Sequence, residues 1–147
     1  MGDAEAFQLT SMLRSVVDGG TGRLVRDRGV EGPVAGKTGT TNDGADVWFV
    51  GYTPTVVAAV WFGYDTPRPI GRAASGGRLA APAWTALMNE IYARRPVPAP
   101  WPRPSELKAA EIDNTTGYLA TAFCPAEVHE IESFIPGTEP TEYCPVR

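Results

Sequence analysis

Two apolar runs that meet at a single proline constrain this chain more than any other feature. "ADVWFVGYT" (residues 45–53) and "TVVAAVWFGY" (55–64) are rich in Val, Trp, Phe and Tyr, with only "TP" at the tip between them. Such residues suit a pleated, half-buried surface, and so short a connection predicts an antiparallel hairpin. A third strand is expected just upstream, over residues 34–41, "VAGKTGTT". The run at 55–64 is apolar at successive positions, which predicts a central strand covered on both faces. Helices are expected on either side in the chain. In residues 3–18, Leu9, Met12, Leu13, Val16 and Val17 recur at helical spacing, with Asp3 as N-cap and Gly19-Gly20 as the stop. In "APAWTALMNEIYARR" (81–95), Trp84, Leu87, Met88 and Ile91 form one stripe. Pro82 stands near the first helical position, and Arg94-Arg95 lie where the helix dipole favours cations. The glycine-punctuated stretches 21–32 and 65–80 read as loops.

The expected fold class is therefore α/β in the α+β sense, an antiparallel three-stranded sheet with packed helices. The 147 residues suffice for one domain and a small appendage. Five prolines between Arg95 and Ser105 make residues 96–104 an extended linker. They separate a unit at 1–95 from a small C-terminal module at 105–147, in which "DNTTG" signals a turn.

Several function classes drop out on composition. The formal net charge is -4, and no window combines Lys/Arg with aromatics, so no nucleic acid partner is expected. No apolar run reaches the 18 or so residues of a membrane span. The N-terminus has neither the basic nor the apolar region of a signal peptide, and Ala6 stands where myristoylation wants Ser or Thr. Met1-Gly2 reads as a start placed on a piece of something longer. One histidine, His129, and two cysteines, Cys124 and Cys144, cannot build a four-ligand zinc site, so no metal or cofactor is called for. The cysteines are either two unrelated buried thiols or a disulfide. The disulfide is preferred, because few apolar residues lie between them to hold the segment otherwise. It would close a loop of roughly 20 residues, worth about 3 kcal/mol on the chain-entropy model, and imply a compartment outside the cytoplasm.

The stretch "EGPVAGKTGTTNDG" (31–44) allows two chemistries. A phosphate-binding loop, G-x-x-x-x-G-K-[ST], needs its first glycine five places before Gly36, where Glu31 stands; Gly32 is one place off. "LVRDRGVE" upstream is too charged for a buried strand, and "GTTNDG" downstream does not start a helix. The strand reading fits better: Lys37 projects to one face, Thr38 and Thr40 to the other, and Gly39 allows close approach. A bare K-T-G is weak, and Lys37 alone would be a solvated strand lysine. Its context, K-T-G-T-T, a turn, "DVWFVGYTP" and "VWFGYD", is specific.

That pattern, with "GGRLAAPAWTALM" after it, resembles the transpeptidase domain of penicillin-binding proteins, in particular the bifunctional class A enzymes. The tail, with "IDNTTGYLATAFCP" and "FIPGTEPTEYCP", is similar to the C-terminal extension many class A members carry. The resemblance implies a penicillin-binding transpeptidase/β-lactamase-like fold and a location on the extracytoplasmic face of the bacterial inner membrane. It implies peptidoglycan stem peptides and β-lactams as partners, and a serine acyl-enzyme as the chemistry. Carried over by motif, Lys37 supplies positive charge at the cleft. The Thr38 and Thr40 hydroxyls, with Gly39 and Thr41 beside them, hold the substrate's terminal carboxylate, and the Thr40 N–H forms half of an oxyanion hole. Strand alternation sets the lysine and the threonines on opposite faces, which an exposed strand rim or a twist at Gly39 would reconcile.

The departures from the family matter as much. Its S-x-x-K and S-x-N motifs precede K-T-G, yet upstream of Lys37 the serines are Ser11 and Ser15, followed three places on by Arg14 and Asp18. "SELK" (105–108) lies behind the linker in a charged stretch and reads as coincidence. The expectation is one wall of a transpeptidase cleft without its nucleophile, unable to acylate alone. A non-catalytic cell-wall or partner-binding module is the alternative. A central strand exposed by the missing half is expected either to pair its edge with another copy or to leave the chain marginally stable. Trp48, Phe49 and Trp61 are expected as packing residues, His129 as inert and Asn114 as part of a turn; an orienting role for Asp46 beside the cleft is the less favoured reading of that residue.

Overall fold

A computed structural model describes residues 1–145. They fall into two compact units, one of residues 10–101 and one that joins residues 1–9 to the segment from Pro102 onward. The division falls inside the proline-rich stretch. Residues 1–9 group with the tail rather than with the sheet, and the Gln8 amide donates to the Ser133 carbonyl at 2.9 Å.

The larger unit holds the sheet. Strands β1 (Ala35–Thr40), β2 (Val47–Tyr52) and β3 (Val57–Phe62) are antiparallel in the order β1-β2-β3. Helix α1 (Asp3–Asp18) precedes them and α3 (Ala81–Tyr92) follows. The hairpin tip closes where Thr53 N–H donates to the Val56 carbonyl at 2.8 Å. β2, not β3, is the central strand. The apolar run of β3 instead forms an edge, with Val57, Trp61 and Phe62 exposed. Apolar residues on both faces of a strand record a preference for burial, but three strands leave β3 a neighbour on one side only.

Side chains alternate across the sheet. Val47 and Phe49 of β2 turn to the core and are fully buried, whereas Trp48 and Val50 are exposed on the other face. The core gathers Val17, Val25, Val34, Phe49, Trp84 and Met88. Trp84 packs edge-on against Phe49 with ring centroids 5.3 Å apart, and its indole N–H donates to the Ala58 carbonyl at 3.0 Å. Thr85 takes the core position expected of Leu87, which is exposed. On α1 only Val17 is fully covered; Leu9 and Met12 face outward. Asp3 is the first residue of α1 rather than its cap: Gly2 O accepts from Ala6 N–H at 3.0 Å. Asp3 and Glu5 then sit in the first turn, where the dipole favours acids.

Two stretches expected as loops are helical. Leu24–Asp27 forms the short helix α2, which puts Val25 into the core, and Gly76–Ala80 forms a π-helical turn running into α3. Both are too short to develop a periodic pattern, and glycines mask them.

In the smaller unit, β4 (Lys108–Asp113) pairs antiparallel with β5 (His129–Phe134). The "DNTTG" turn is held by Asp113, whose buried carboxylate accepts from the Thr115 and Thr116 N–H groups. Gly117, at φ +77°, supplies the left-handed step that ends it. Cys124 and Cys144 are joined by a disulfide with Cα atoms 6.7 Å apart, and Cys144 N–H donates to Leu119 O at 2.9 Å. Lys108 donates to Glu139 at 2.6 Å. That bond, with backbone N–H donors including Gly137, lowers the Glu139 pKa from 4.5 to about 2. A depressed carboxyl stabilises the folded form above its unfolded value. The contribution is therefore present above about pH 4.5 and is lost as the pH falls towards 2. A carboxyl-carbon NMR titration should find the Glu139 midpoint well below the ordinary range, and Lys108→Met should raise it; an unchanged midpoint would refute the pairing.

Candidate functional site: an open groove along β1

The K-T-G-T run occupies most of β1. Thr41 N–H donates to Asp46 O at 3.0 Å, directly across the β1–β2 register. In an antiparallel ladder such pairs alternate with pairs whose backbone groups point away. Lys37, Gly39 and Thr41 therefore bond towards β2, and the N–H and C=O groups of Thr38 and Thr40 point to the open edge of the sheet. The side chains alternate on a different axis. Thr38 and Thr40 lie opposite Phe49 and Val47 on the core-side face, whereas Lys37 and Gly39 lie opposite Val50 and Trp48 on the exposed face.

A groove of about 340 Å³ runs beside the Thr38–Thr40 face. Thr21, Arg23, Thr38, Thr40, Ser75 and Arg78 are among its lining residues. Three segments distant in sequence meet here: the turn after α1, the strand β1 and the π-helical turn. Thr21 and Thr38 are joined hydroxyl to hydroxyl at 2.7 Å, and Gly76 N–H donates to Thr40 Oγ1 at 3.0 Å. The Gly76 bond occupies an acceptor position on Thr40 and leaves its hydroxyl proton free to donate elsewhere. Two glycines permit the approach. A Cβ on Gly76 would overlap the Trp48 carbonyl oxygen, and one on Gly77 would overlap that of Thr21.

The predicted site residues are thus only partly brought together. Thr38 and Thr40 line the groove. Lys37 starts from the other face, and its ammonium donates to the Thr38 carbonyl at 3.0 Å, which carries the cation to the strand's open rim. Gly39 sits against Trp48, where a Cβ would be 3.2 Å from that side chain. The Thr41 hydroxyl accepts from Ala45 and Asp46 N–H at 3.1 and 3.0 Å and so ties down the β1–β2 turn. Asp46 also accepts from the Trp61 indole at 3.0 Å, and that ring pairs with Trp48 at 6.0 Å on the exposed face. Sequence reasoning passed over Thr21, Ser75, Gly76 and Arg78. The pairs Gly19-Gly20 and Gly76-Gly77 were the available signal, since a glycine pair in a polar stretch marks a turn.

The remaining candidates lie in the smaller unit. His129 Nδ1 meets Glu111 at 3.1 Å, and its buried Nε2 has no partner among the described residues. Asp113, Cys124 and Cys144 approach one another, but both sulfurs are in the disulfide. Among the described residues no helix is long and apolar enough to cross a membrane.

A family model described as the penicillin binding protein transpeptidase domain matches residues 1–89, and one described as the penicillin-binding protein 1A C-terminal domain matches residues 103–147. Penicillin-binding protein 1A of Rickettsia bellii is 36% identical over 132 residues, 90% of this chain and 16% of that protein. The protein of the same name from Pseudomonas aeruginosa is 38% identical over 128 residues, 86% of this chain and 15% of that one. The crystal structure of penicillin-binding protein 1A from Haemophilus influenzae matches with a TM-score of 0.82 at 28% identity, covering 99% of this chain and 22% of that one. The chain spans about a sixth of the length of these curated relatives.

Proposed function

The chain belongs to the penicillin-binding protein transpeptidase family, matching the C-terminal part of its class A members, and from that premise we propose that β1 is one wall of a peptidoglycan D,D-transpeptidase cleft. The observation that carries this reading is the placement of Thr38 and Thr40. Both line the groove with their side chains and turn their backbone N–H groups to the same open edge.

In the proposed reaction a serine oxygen, supplied from outside these residues, bonds to the penultimate carbonyl carbon of a D-Ala-D-Ala stem peptide. The Thr40 N–H, preorganised at the strand edge, stabilises the oxyanion that forms. The C–N bond to the terminal D-Ala breaks, and that residue leaves with a proton as the free amino acid. An amine of a neighbouring stem then attacks the ester and releases the serine. The Thr38 and Thr40 hydroxyls hold the terminal carboxylate, and Lys37 adds positive charge at the rim. A β-lactam, carrying a carboxylate beside a reactive amide, acylates the same serine. The cleft faces the extracytoplasmic side of the inner membrane, and the Cys124–Cys144 disulfide suits that oxidising compartment. The open edge of β3 is a route to homo-association in the isolated chain.

Within the 147 residues no serine of an S-x-x-K precedes Lys37, so the chain alone is expected to take no covalent label from a fluorescent penicillin. A longer protein carrying this segment with S-x-x-K and S-x-N in frame is expected to label. Lys37→Ala should slow that labelling on the order of 10²-fold, as for removal of one preorganised electrostatic contact. Labelling of the 147-residue chain itself would overturn the missing nucleophile. Binding to cell-wall sacculi with no labelling in either form would point instead to a non-catalytic module.

A further inference from the structure

Thr21, in the turn after α1, has no part in the K-T-G chemistry described above, yet its hydroxyl lies 2.7 Å from that of Thr38. We infer that Thr21 is a positioning residue that sets the direction of the Thr38 hydroxyl and so tunes recognition of a ligand carboxylate; the inference rests on the acyl-transferase reading.

The turn that carries Thr21 is tightly held. Gly20 N–H and Gly22 N–H donate back to Ser15 O and Val16 O at 3.1 and 2.9 Å. Gly22 is buried, where a Cβ would stand 3.2 Å from the Phe49 ring. On its other side the Thr21 carbonyl lies against Gly77 at a distance no side chain would allow. The Thr21 backbone therefore cannot shift without moving either the core or the π-helical turn, and so it presents the hydroxyl to Thr38 from a fixed position.

Each hydroxyl has one proton and two acceptor positions. In the Thr21–Thr38 pair one oxygen donates and the other accepts, and the geometry allows either order. An ionised carboxylate accepts only, so Thr38 must donate to it. Thr21 must then be the donor to Thr38. The result is a chain from Thr21 to Thr38 to carboxylate in which each bond polarises the next. Thr40 is prepared in the same sense by the Gly76 N–H, which takes an acceptor position on its oxygen. The two threonines of the strand thus present protons to the groove, one held by a backbone donor and one by Thr21.

The test uses a protein carrying this segment together with an in-frame S-x-x-K and S-x-N, and compares acylation by benzylpenicillin with acylation by its methyl ester. Thr21→Val is isosteric and removes the donor. It is expected to lower the second-order acylation rate with the acid about tenfold, the upper scale of one neutral hydrogen bond, and to leave the rate with the ester within about twofold. Thr21→Ser restores the hydroxyl and is expected to recover the acid rate. Equal loss with acid and ester, no loss with either, or failure of Thr21→Ser to recover would overturn the inference while the acyl-transferase reading stands. If the unsubstituted protein is acylated by neither compound, that reading falls and the inference falls with it.

Discussion

Trp84→Ala is expected to cost the larger unit about 4 kcal/mol, within the range for removal of a buried aromatic side chain. Trp84 is wholly buried at the centre of the core, edge-on to Phe49 and lying under Gly51 of β2. Its indole N–H is also the donor to Ala58 O on β3. Truncation therefore removes packing against two strands and leaves a void that the paired backbones cannot close. A loss of that size is a large fraction of the total stability of an ordinary domain. A urea titration followed by near-ultraviolet circular dichroism should show the midpoint collapse. Trp84→Phe separates the terms: it keeps most of the ring volume and forfeits the hydrogen bond, so it should cost less than the alanine variant by several-fold. A loss below about 1 kcal/mol for Trp84→Ala would show that the core does not depend on this ring.

The second large effect is expected from one added methyl group. Gly76→Ala places a Cβ into the Trp48 carbonyl oxygen, 2.7 Å from the Gly39 carbonyl oxygen and 3.1 Å from its nitrogen. All three are backbone atoms of paired strands, so no flexible side chain can yield. The cost is expected to be about 3 kcal/mol, the upper end for overpacking. The turn would also be driven off β1, which breaks the Gly76 N–H bond to Thr40 and reshapes the groove. The same substitution at Gly71, where nothing lies within 4 Å and φ is not positive, serves as the control and should stay within about 0.5 kcal/mol. Thermal unfolding of the two variants side by side decides the matter: equal midpoints would mean that the close contact of turn and strand is absent in solution.

Gly76 also shows why part of the site was illegible in the sequence. The strands β1, β2 and β3 were readable because alternation and β-branched or aromatic content are local properties of the chain. The stripe of α3 was readable for the same reason, apart from Leu87, which periodicity favoured but which no neighbouring element covers. The groove was different. Its walls come from residues 20–27, 38–40 and 75–78, and no local pattern links them. Thr21 and Ser75 are ordinary polar residues in glycine-punctuated stretches until the fold sets them beside β1. The strand order likewise escaped local reading, since the composition of β3 records how readily it would be buried and not how many neighbours it has.

What the sequence determined by itself is the set of pieces: three short strands, two amphipathic helices, a K-T-G-T run whose lysine and threonines alternate, and two cysteines placed to close a loop. Those follow from residue-by-residue sterics and from spacing, which any stretch of chain expresses without its neighbours. The tertiary structure decided what the pieces face. It made β1 an edge, so that the Thr38 and Thr40 N–H groups point outward from the sheet. It carried the Lys37 ammonium to that rim and laid Thr21 and Gly76 against the two threonine hydroxyls. The cause is physical: the Thr21–Thr38 and Gly76–Thr40 contacts join residues 17 and 36 apart in the chain, which only close packing brings within hydrogen-bond reach, and two glycines without side chains let the backbones come that near.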